Sequence, residues 1–371
     1  MRILTVVGAR PLFVKAAPVS RALRRNHEEV LVHTGQHYDD AMSASFFREL
    51  EIPEPDINLE VGSGSHAVMT GEMLRRLEPV VLEHRPDGVL LYGDTNSTMA
   101  AAIVASKACY DGGLRPWIAH VEAGLRSFNL AMPEERNRVV ADHLADLLLA
   151  PTETAMRHLQ REGLGDRAEL VGDVMVDAFA WASERATGKL PEVAEEHPGY
   201  LLLTLHRPEN VDDPGRLAAW IAVLAGDRPV IFPIHPRTRA ALERNGVSLP
   251  ASVIPMEPAG YLQMVALERS AALVLTDSGG VQKEAYLAGV PCVTLRTETE
   301  WVEMVEAGWN RLAPTPELVP GAIAAGLSGT PAAKPPLYGD GLAAGRIVGA
   351  MERYVERRAA RGGHAMEATV R

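Results

Sequence analysis

The stretch Ala272–Pro291, ALVLTDSGGVQKEAYLAGVP, decides the reading of this chain. Leu273–Thr276 is a short apolar run, the length of a buried strand. Asp277-Ser278-Gly279-Gly280 carries turn and cap chemistry, and Val281–Leu287 continues as a helix that stops at Gly289. A strand that turns through Ser-Gly-Gly into a helix aims several backbone N–H groups, with the positive end of the helix dipole, at one point. Two residues without Cβ let an anion approach that backbone closely. Glu284 follows one helical turn after Gly280, placed to accept hydrogen bonds from hydroxyls of a ligand whose phosphates sit at the turn. An ordinary βα turn reads the same way in isolation, so the surrounding chain has to decide.

On both sides of this stretch the pattern repeats. Before it, Tyr200–Leu205 reads as a strand ending at His206-Arg207-Pro208-Glu209-Asn210, and Val230–Ile234 as one ending at His235; after it comes Cys292–Leu295. Nearer the N-terminus, Ile3–Val7 leads into Gly8-Ala9-Arg10-Pro11 and a helix over Phe13–Leu23 with Lys15 in its first turn. Val30–Thr34 follows, then Gly88–Tyr92 ending in Gly93-Asp94, and Trp117–Val121 ending in Glu122. Pro133-Glu134-Glu135 starts a helix, with proline and acids in its first turn. Strands alternating with helices at this spacing predict α/β architecture with parallel sheets covered on both faces. Residues 1–171 form one expected domain and 172–340 a second, with a hinge near Leu170–Asp173. A final helix at about 341–361 is expected to cross back to the first domain, and 362–371 to fray.

A chain of 371 residues is long for a single core. Its formal net charge of −11 argues against a nucleic-acid or membrane-surface partner, since either needs a basic face. An anionic ligand must then be held by a few placed cations and helix termini. Cys109 and Cys292 read as small buried hydrophobes, which suits a reducing compartment. Ile3–Val7 is too short for a signal-peptide core and no apolar run is long enough to span a bilayer, so a cytoplasmic protein is expected. No GxGxxG follows a strand and no GxxxxGK[ST] occurs, which argues against nicotinamide and P-loop chemistry. The histidines and acids show no zinc spacing, so no metal is expected.

Polar residues fall at the carboxyl ends of the strands, where open α/β sheets bind ligands. Asp94, Glu122 and Glu134 lie on loops expected to border one cleft, with Arg10, Arg126 and Arg138 close in sequence. Carboxylates so grouped shift one another's protonation, giving one a basic and another an acidic role. The plainer alternatives are a cap at Asp94 and a first-turn helix acid at Glu134. His206 ends a strand beside Arg207 and Glu209, which favours a site role.

Taken in order, GARPLFVKAAP (8–18), TGQHYD (34–39), YGDTNST (92–98), HVEAGLRSFN (120–129), MPEERNR (132–138), HRPEN (206–210), DSGGVQKEA (277–285) and TETEWVE (297–303) resemble the non-hydrolysing UDP-N-acetylglucosamine 2-epimerases. The resemblance implies a glycosyltransferase-B-like fold, two Rossmann-like domains with an inter-domain cleft. It also implies a homodimer, no cofactor, and work in cell-envelope polysaccharide biosynthesis. The implied isomerase reaction inverts C2 of a UDP-2-acetamido sugar by eliminating and re-adding UDP through a bound 2-acetamidoglucal. By the same resemblance Asp94, Glu122 and Glu134 are the acid–base candidates and His206 assists departure of UDP. Arg10, Lys15, Arg138, Ser278, Gly279, Gly280 and Glu284 are similar to the family's nucleotide-sugar contacts.

The chain also departs from the family pattern. Leu12 stands where a Glu or Gln is usual, Met264 where many members carry an aromatic near the uracil, and Pro208 where many have a second arginine. Tyr38 and Asp39 differ from a loop associated with activation by a second substrate molecule. Versions with SFN, HRxEN and TEWVE also occur in epimerases of UDP-2,3-diacetamido-glucuronic acid, so the sugar stays open. A hydrolysing relative that releases N-acetylmannosamine is the nearer rival, and a glycosyltransferase the more distant one.

Overall fold

Four of the five residues Ile3–Val7 are apolar and the fifth is a threonine, so neither face of the strand is suited to water and both have to be covered. In a computed structural model, which describes residues 1–8, 10–35, 49–329, 331 and 333–368 (side chains of 10, 11 and 361–368 excepted), strand β1 (Arg2–Val7) is buried from its second residue onward. It lies inside a seven-stranded sheet with β2 (Glu28–His33), β3 (Ile57–Asn58), β4 (Gly88–Tyr92), β5 (Trp117–Val121), β6 (Leu147–Ala150) and β7 (Ala168–Leu170). The order is β3-β2-β1-β4-β5-β6-β7 and every pairing is parallel. Gly8 then leaves β1 where a Cβ would fall on the hydroxyls of Thr34 and Ser97. Those hydroxyls bond each other at 2.9 Å, so the chain can pass only as glycine.

The second sheet runs β10-β9-β8-β11-β12-β13, again all parallel. Its strands are β8 (Leu201–Thr204), β9 (Val230–Pro233), β10 (Val253–Met256), β11 (Leu273–Thr276), β12 (Cys292–Thr294) and β13 (Asn310–Leu312). Alternation along β8 divides the core between two faces. Leu201, Leu203 and Leu205 pack with Trp220, Phe232 and Leu275 on one side. Leu202 packs with Tyr200, Ile231 and Val274 on the other.

Each sheet thus reverses its strand order once, at β1/β4 and at β8/β11. This is the Rossmann arrangement twice over, and such a reversal opens a crevice at the carboxyl ends of the strands. The chain divides into two compact units, Met1–Ala178 with Tyr338–Arg371 and Phe179–Leu337. The change-over falls inside the helix Val174–Arg185, beyond Leu170–Asp173. The reason is local: Asp173 N, just before this helix, bonds Tyr338 O of the first unit at 2.9 Å, which keeps the start of the helix with that unit.

The last helix, Ala343–Ala368, packs on the first unit. The Asp177 carboxylate accepts from the amides of Ala343 and Ala344 at 3.2 and 2.9 Å, tying down its N-terminus. Tyr354 stacks at a tilt on Trp117, with ring centroids 5.7 Å apart. The helix continues past Gly362, where fraying is expected, as far as Ala368; residues 369–371 lie outside the described residues. Cys109 corrects another expectation, being exposed, because the helix Asn96–Lys107 ends before it and turns it out of the core. Cys292 is buried on β12, and burial pushes its thiol up to about 12. No helix among the described residues is long and apolar enough to cross a membrane.

Candidate active site

At the β1/β4 reversal the first unit gathers carboxylates and cations. Gly93 N bonds Val121 O at 3.1 Å, drawing the exits of β4 and β5 together. Asp94 follows and takes Arg138 Nη2, while its backbone carbonyl accepts from Asn137 Nδ2 at 2.9 Å. The helix cap is Thr95, whose hydroxyl accepts from Thr98 N, so the Asp94 carboxylate is not spent on capping. Glu122 adopts φ 72°, the left-handed region that costs a residue with a Cβ about 1–3 kcal/mol. Two amides hold it there: those of Glu122 and Ala123 both bond Leu149 O, at 3.1 and 3.2 Å. The bent backbone delivers the buried Glu122 carboxylate to Lys15 Nζ. Both groups press against Gly93, where a Cβ would lie 3.2 Å from Lys15 Nζ and 3.4 Å from Glu122 Oε2. The structure therefore brings Asp94, Glu122, Lys15 and Arg138 together. Arg10 opens the helix Arg10–Leu23, and its side chain lies outside the described residues.

Two neighbouring acids of the helix Pro133–Leu144 have different surroundings. Glu135 is buried and accepts from Ser127 N and Phe128 N at 2.9 and 3.0 Å, with Arg138 Nη1 at 3.1 Å. It fixes a loop. Glu134 is half-buried and, among the described residues, its carboxylate has no hydrogen-bond partner. That leaves it available for proton transfer. Arg126 is not available: it is buried between Asp142 (2.7 Å) and Glu162 (2.6 Å). Burial alone would depress its charge, but these two carboxylates outweigh burial and raise its pKa.

The second unit presents a different set at β8/β11. The Asp277 carboxylate accepts from the amides of His206 and Arg207, at 3.1 and 2.9 Å, and from Asn210 Nδ2 at 3.1 Å. His206 Nδ1 also lies 3.1 Å from Asp277 Oδ1, and 42% of the His206 side chain remains exposed. Burial pushes Asp277 up, but His206 and its other donors hold it below the ordinary carboxylate range. Ser278 caps the helix Gly279–Ala288 through Val281 N. Gly279 sits where a Cβ would come within 2.5 Å of Glu300 Oε1, and Arg296 Nη1 holds Glu300 Oε2 at 3.1 Å. Glu284 is buried one turn into that helix; burial pushes it up to about 6 against the Tyr261 hydrogen bond and the Lys283 charge. Behind it, burial and the Glu284 carboxyl push Glu268 well above its ordinary value.

A family model described as UDP-N-acetylglucosamine 2-epimerase matches residues 21–352. The chain belongs to the UDP-N-acetylglucosamine 2-epimerase family. A Methanococcus maripaludis UDP-N-acetylglucosamine 2-epimerase homolog is 50% identical over 321 residues, covering 84% of this chain and 88% of the relative. The UDP-2,3-diacetamido-2,3-dideoxy-D-glucuronate 2-epimerase of Pseudomonas aeruginosa is 46% identical over 357 residues, 94% of this chain and 98% of that protein. The crystal structure of the Methanocaldococcus jannaschii UDP-GlcNAc 2-epimerase, in complex with UDP-GlcNAc and UDP, superposes with a TM-score of 0.86 at 40% identity, covering 95% of this chain and 100% of that one. This epimerase-family chain thus shares the two-domain, glycosyltransferase-B-like architecture.

Several polar residues at these sites have no role assigned by the sequence reading. His120, Asp142, Glu135 and Asn210 are all buried and all bonded to the loops that carry the site. The signal was there for one of them, since a histidine inside the apolar run WIAHV needs a buried partner. The others sit in polar helix segments where sequence alone does not tell an inward face from an outward one. Among the described residues, no group of three His, Cys, Asp or Glu converges on a metal position.

Proposed function

We propose that the protein equilibrates UDP-N-acetylglucosamine with UDP-N-acetylmannosamine, releasing neither free sugar nor UDP as net product. The observation that carries this reading is the pairing at β1/β4 of Asp94 with Arg138 and of Glu122 with Lys15; Glu134, without a hydrogen-bond partner among the described residues, lies one helical turn before Arg138. An epimerisation at C2 needs a base on one face and an acid on the other, and it needs cations for a departing diphosphate. One carboxylate removes the C2 proton as the C1–O bond breaks, its electrons leaving with UDP and the C1–C2 double bond forming. A proton is then returned to C2 from the opposite face while the UDP oxygen re-adds at C1. Lys15, Arg138 and Arg10 hold negative charge in the first unit. In the second, the amides at Ser278-Gly279-Gly280 take the diphosphate, Glu284 takes ribose hydroxyls, and His206 assists departure of UDP.

Incubation with UDP-N-acetylglucosamine in deuterium oxide, followed by NMR, tests this. The expected result is the second epimer with deuterium at C2. Free N-acetylmannosamine as main product would show hydrolysis instead. A second reading, epimerisation of UDP-2,3-diacetamido-glucuronic acid, is favoured by the Pseudomonas aeruginosa relative's match over nearly the whole of both chains. Turnover of that sugar alone in the same assay would establish it. Resemblance across the ordered motifs supports a homodimer, which light scattering on the purified protein checks. The free thiol of exposed Cys109 suits the reducing cytoplasm, where we place the reaction.

A further inference from the structure

The ring of His120 is wholly buried between two groups that only accept. Its Nδ1 lies 2.7 Å from Asp142 Oδ1 and its Nε2 lies 2.7 Å from the carbonyl oxygen of Gly93. A carbonyl never donates, so Nε2 must carry a proton. Asp142 is an anion, since its other oxygen takes Arg126 Nη1 at 2.7 Å and Gly124 N at 3.0 Å. Nδ1 must therefore carry a proton as well. Charge counting agrees: Asp142 and Glu162 are two anions on Arg126, and a charged His120 supplies the second cation that balances them.

We propose that His120, donating from both ring nitrogens, is a positioning residue that locks the three carboxylate-bearing segments of the first unit in register. Through Nε2 it holds Gly93, the residue before Asp94. It belongs itself to β5, whose exit carries Glu122. Through Nδ1 it holds Asp142, which lies on the helix that begins with Pro133-Glu134 and which also grips the amide of Gly124. A single buried cation thus fastens the β4 exit, the β5 exit and that helix. No neutral side chain of similar size offers two donors in opposite directions: glutamine or asparagine would set an oxygen against the Gly93 carbonyl or the Asp142 carboxylate. The role assigned to the three carboxylates rests on the function proposed above, while the protonation state does not.

The test has two arms. Neutron diffraction from the unmodified protein at pH 7.5 reads the ring directly. Deuterium on both nitrogens is expected, and deuterium on only one overturns the proposal without any variant having to fold. In the second arm, His120→Gln and Asp142→Asn are each expected to lower kcat roughly 10²-fold, the scale of a small misplacement of reacting groups. KM and the Kd for UDP should stay within about threefold, because the residue touches no ligand-holding group. Wild-type kcat in a folded His120→Gln protein would overturn the positioning role, and so would a loss confined to KM. Absence of C2 deuterium exchange by the unmodified enzyme would instead sink the functional reading, and the neutron arm would still decide the state of His120.

Discussion

His206 Nδ1 stands 3.1 Å from Asp277 Oδ1, and Asp277 is in turn saturated by the amides of His206 and Arg207 and by Asn210. The carboxylate thereby sets both the tautomer and the direction of the ring, leaving Nε2 for a reacting group. If the pair acts as a unit, Asp277→Asn and His206→Asn each lower kcat by about 10²-fold, and the double variant is no worse than the more damaging single one. Steady-state kinetics on the three proteins checks this. Multiplicative losses in the double variant would show two independent roles.

The acids of the first unit should separate by function. Asp94→Asn, Glu122→Gln and Glu134→Gln are each expected to lower kcat roughly 10²-fold or more while UDP still binds by calorimetry. Glu135→Gln is the contrast. It weakens the clamp on the Ser127 and Phe128 amides, so thermal stability should fall along with activity. Near-normal turnover in any of the first three removes that residue from the acid–base set.

Glu268 gives a stability prediction with a definite sign. Its carboxyl is raised well above the ordinary value by burial first and by Glu284 next. The folded state therefore holds a proton that the unfolded chain releases near the ordinary glutamate value, and the folded protein loses stability as pH rises from there toward the raised value. Glu268→Gln removes this dependence. Its Tm should gain on that of the unmodified protein between pH 5 and pH 8, by about 2–4 °C for each kcal/mol recovered. An unchanged Tm difference across that range would show that Glu268 is already ionised in the fold.

How much of this was legible follows from periodicity. Unbroken apolar runs such as GVLLY and LVLT announce strands covered on both faces, and the polar residues just after them announce the reactive edge. Short strands such as Ile57–Asn58 and Asn310–Leu312 carry too few residues for a pattern to show. At the site, Asp94, Glu122 and His206 are marked by position alone. Arg126 misleads, because nothing in the sequence shows that Asp142 and Glu162 already hold it. The choice between Glu134 and Glu135 is likewise made by which of two adjacent helix positions turns inward.

Regulation is the last question the residues speak to. The family resemblance associates an HRREN arginine and a GQHRE-type loop with holding a second substrate molecule, and this chain reads Pro208 and Tyr38-Asp39 instead. Residues 36–39 lie outside the described residues, but Pro208 is the first residue of the short helix Pro208–Val211. Proline has no side-chain donor there. The neighbouring Arg207 remains a cation, with Glu209 Oε1 3.7 Å from its Nη1, and one arginine is left where the family pattern has two. Losing one charge-assisted contact costs about 1.5–3 kcal/mol, roughly a ten- to hundredfold loss in affinity. Forward kinetics should therefore be hyperbolic, and the reverse reaction should start from pure UDP-N-acetylmannosamine without a trace of the other epimer. Initial-rate curves in both directions check this; a sigmoidal forward curve, or a lag in the reverse reaction that added UDP-N-acetylglucosamine abolishes, would mean that the second site survives without these contacts.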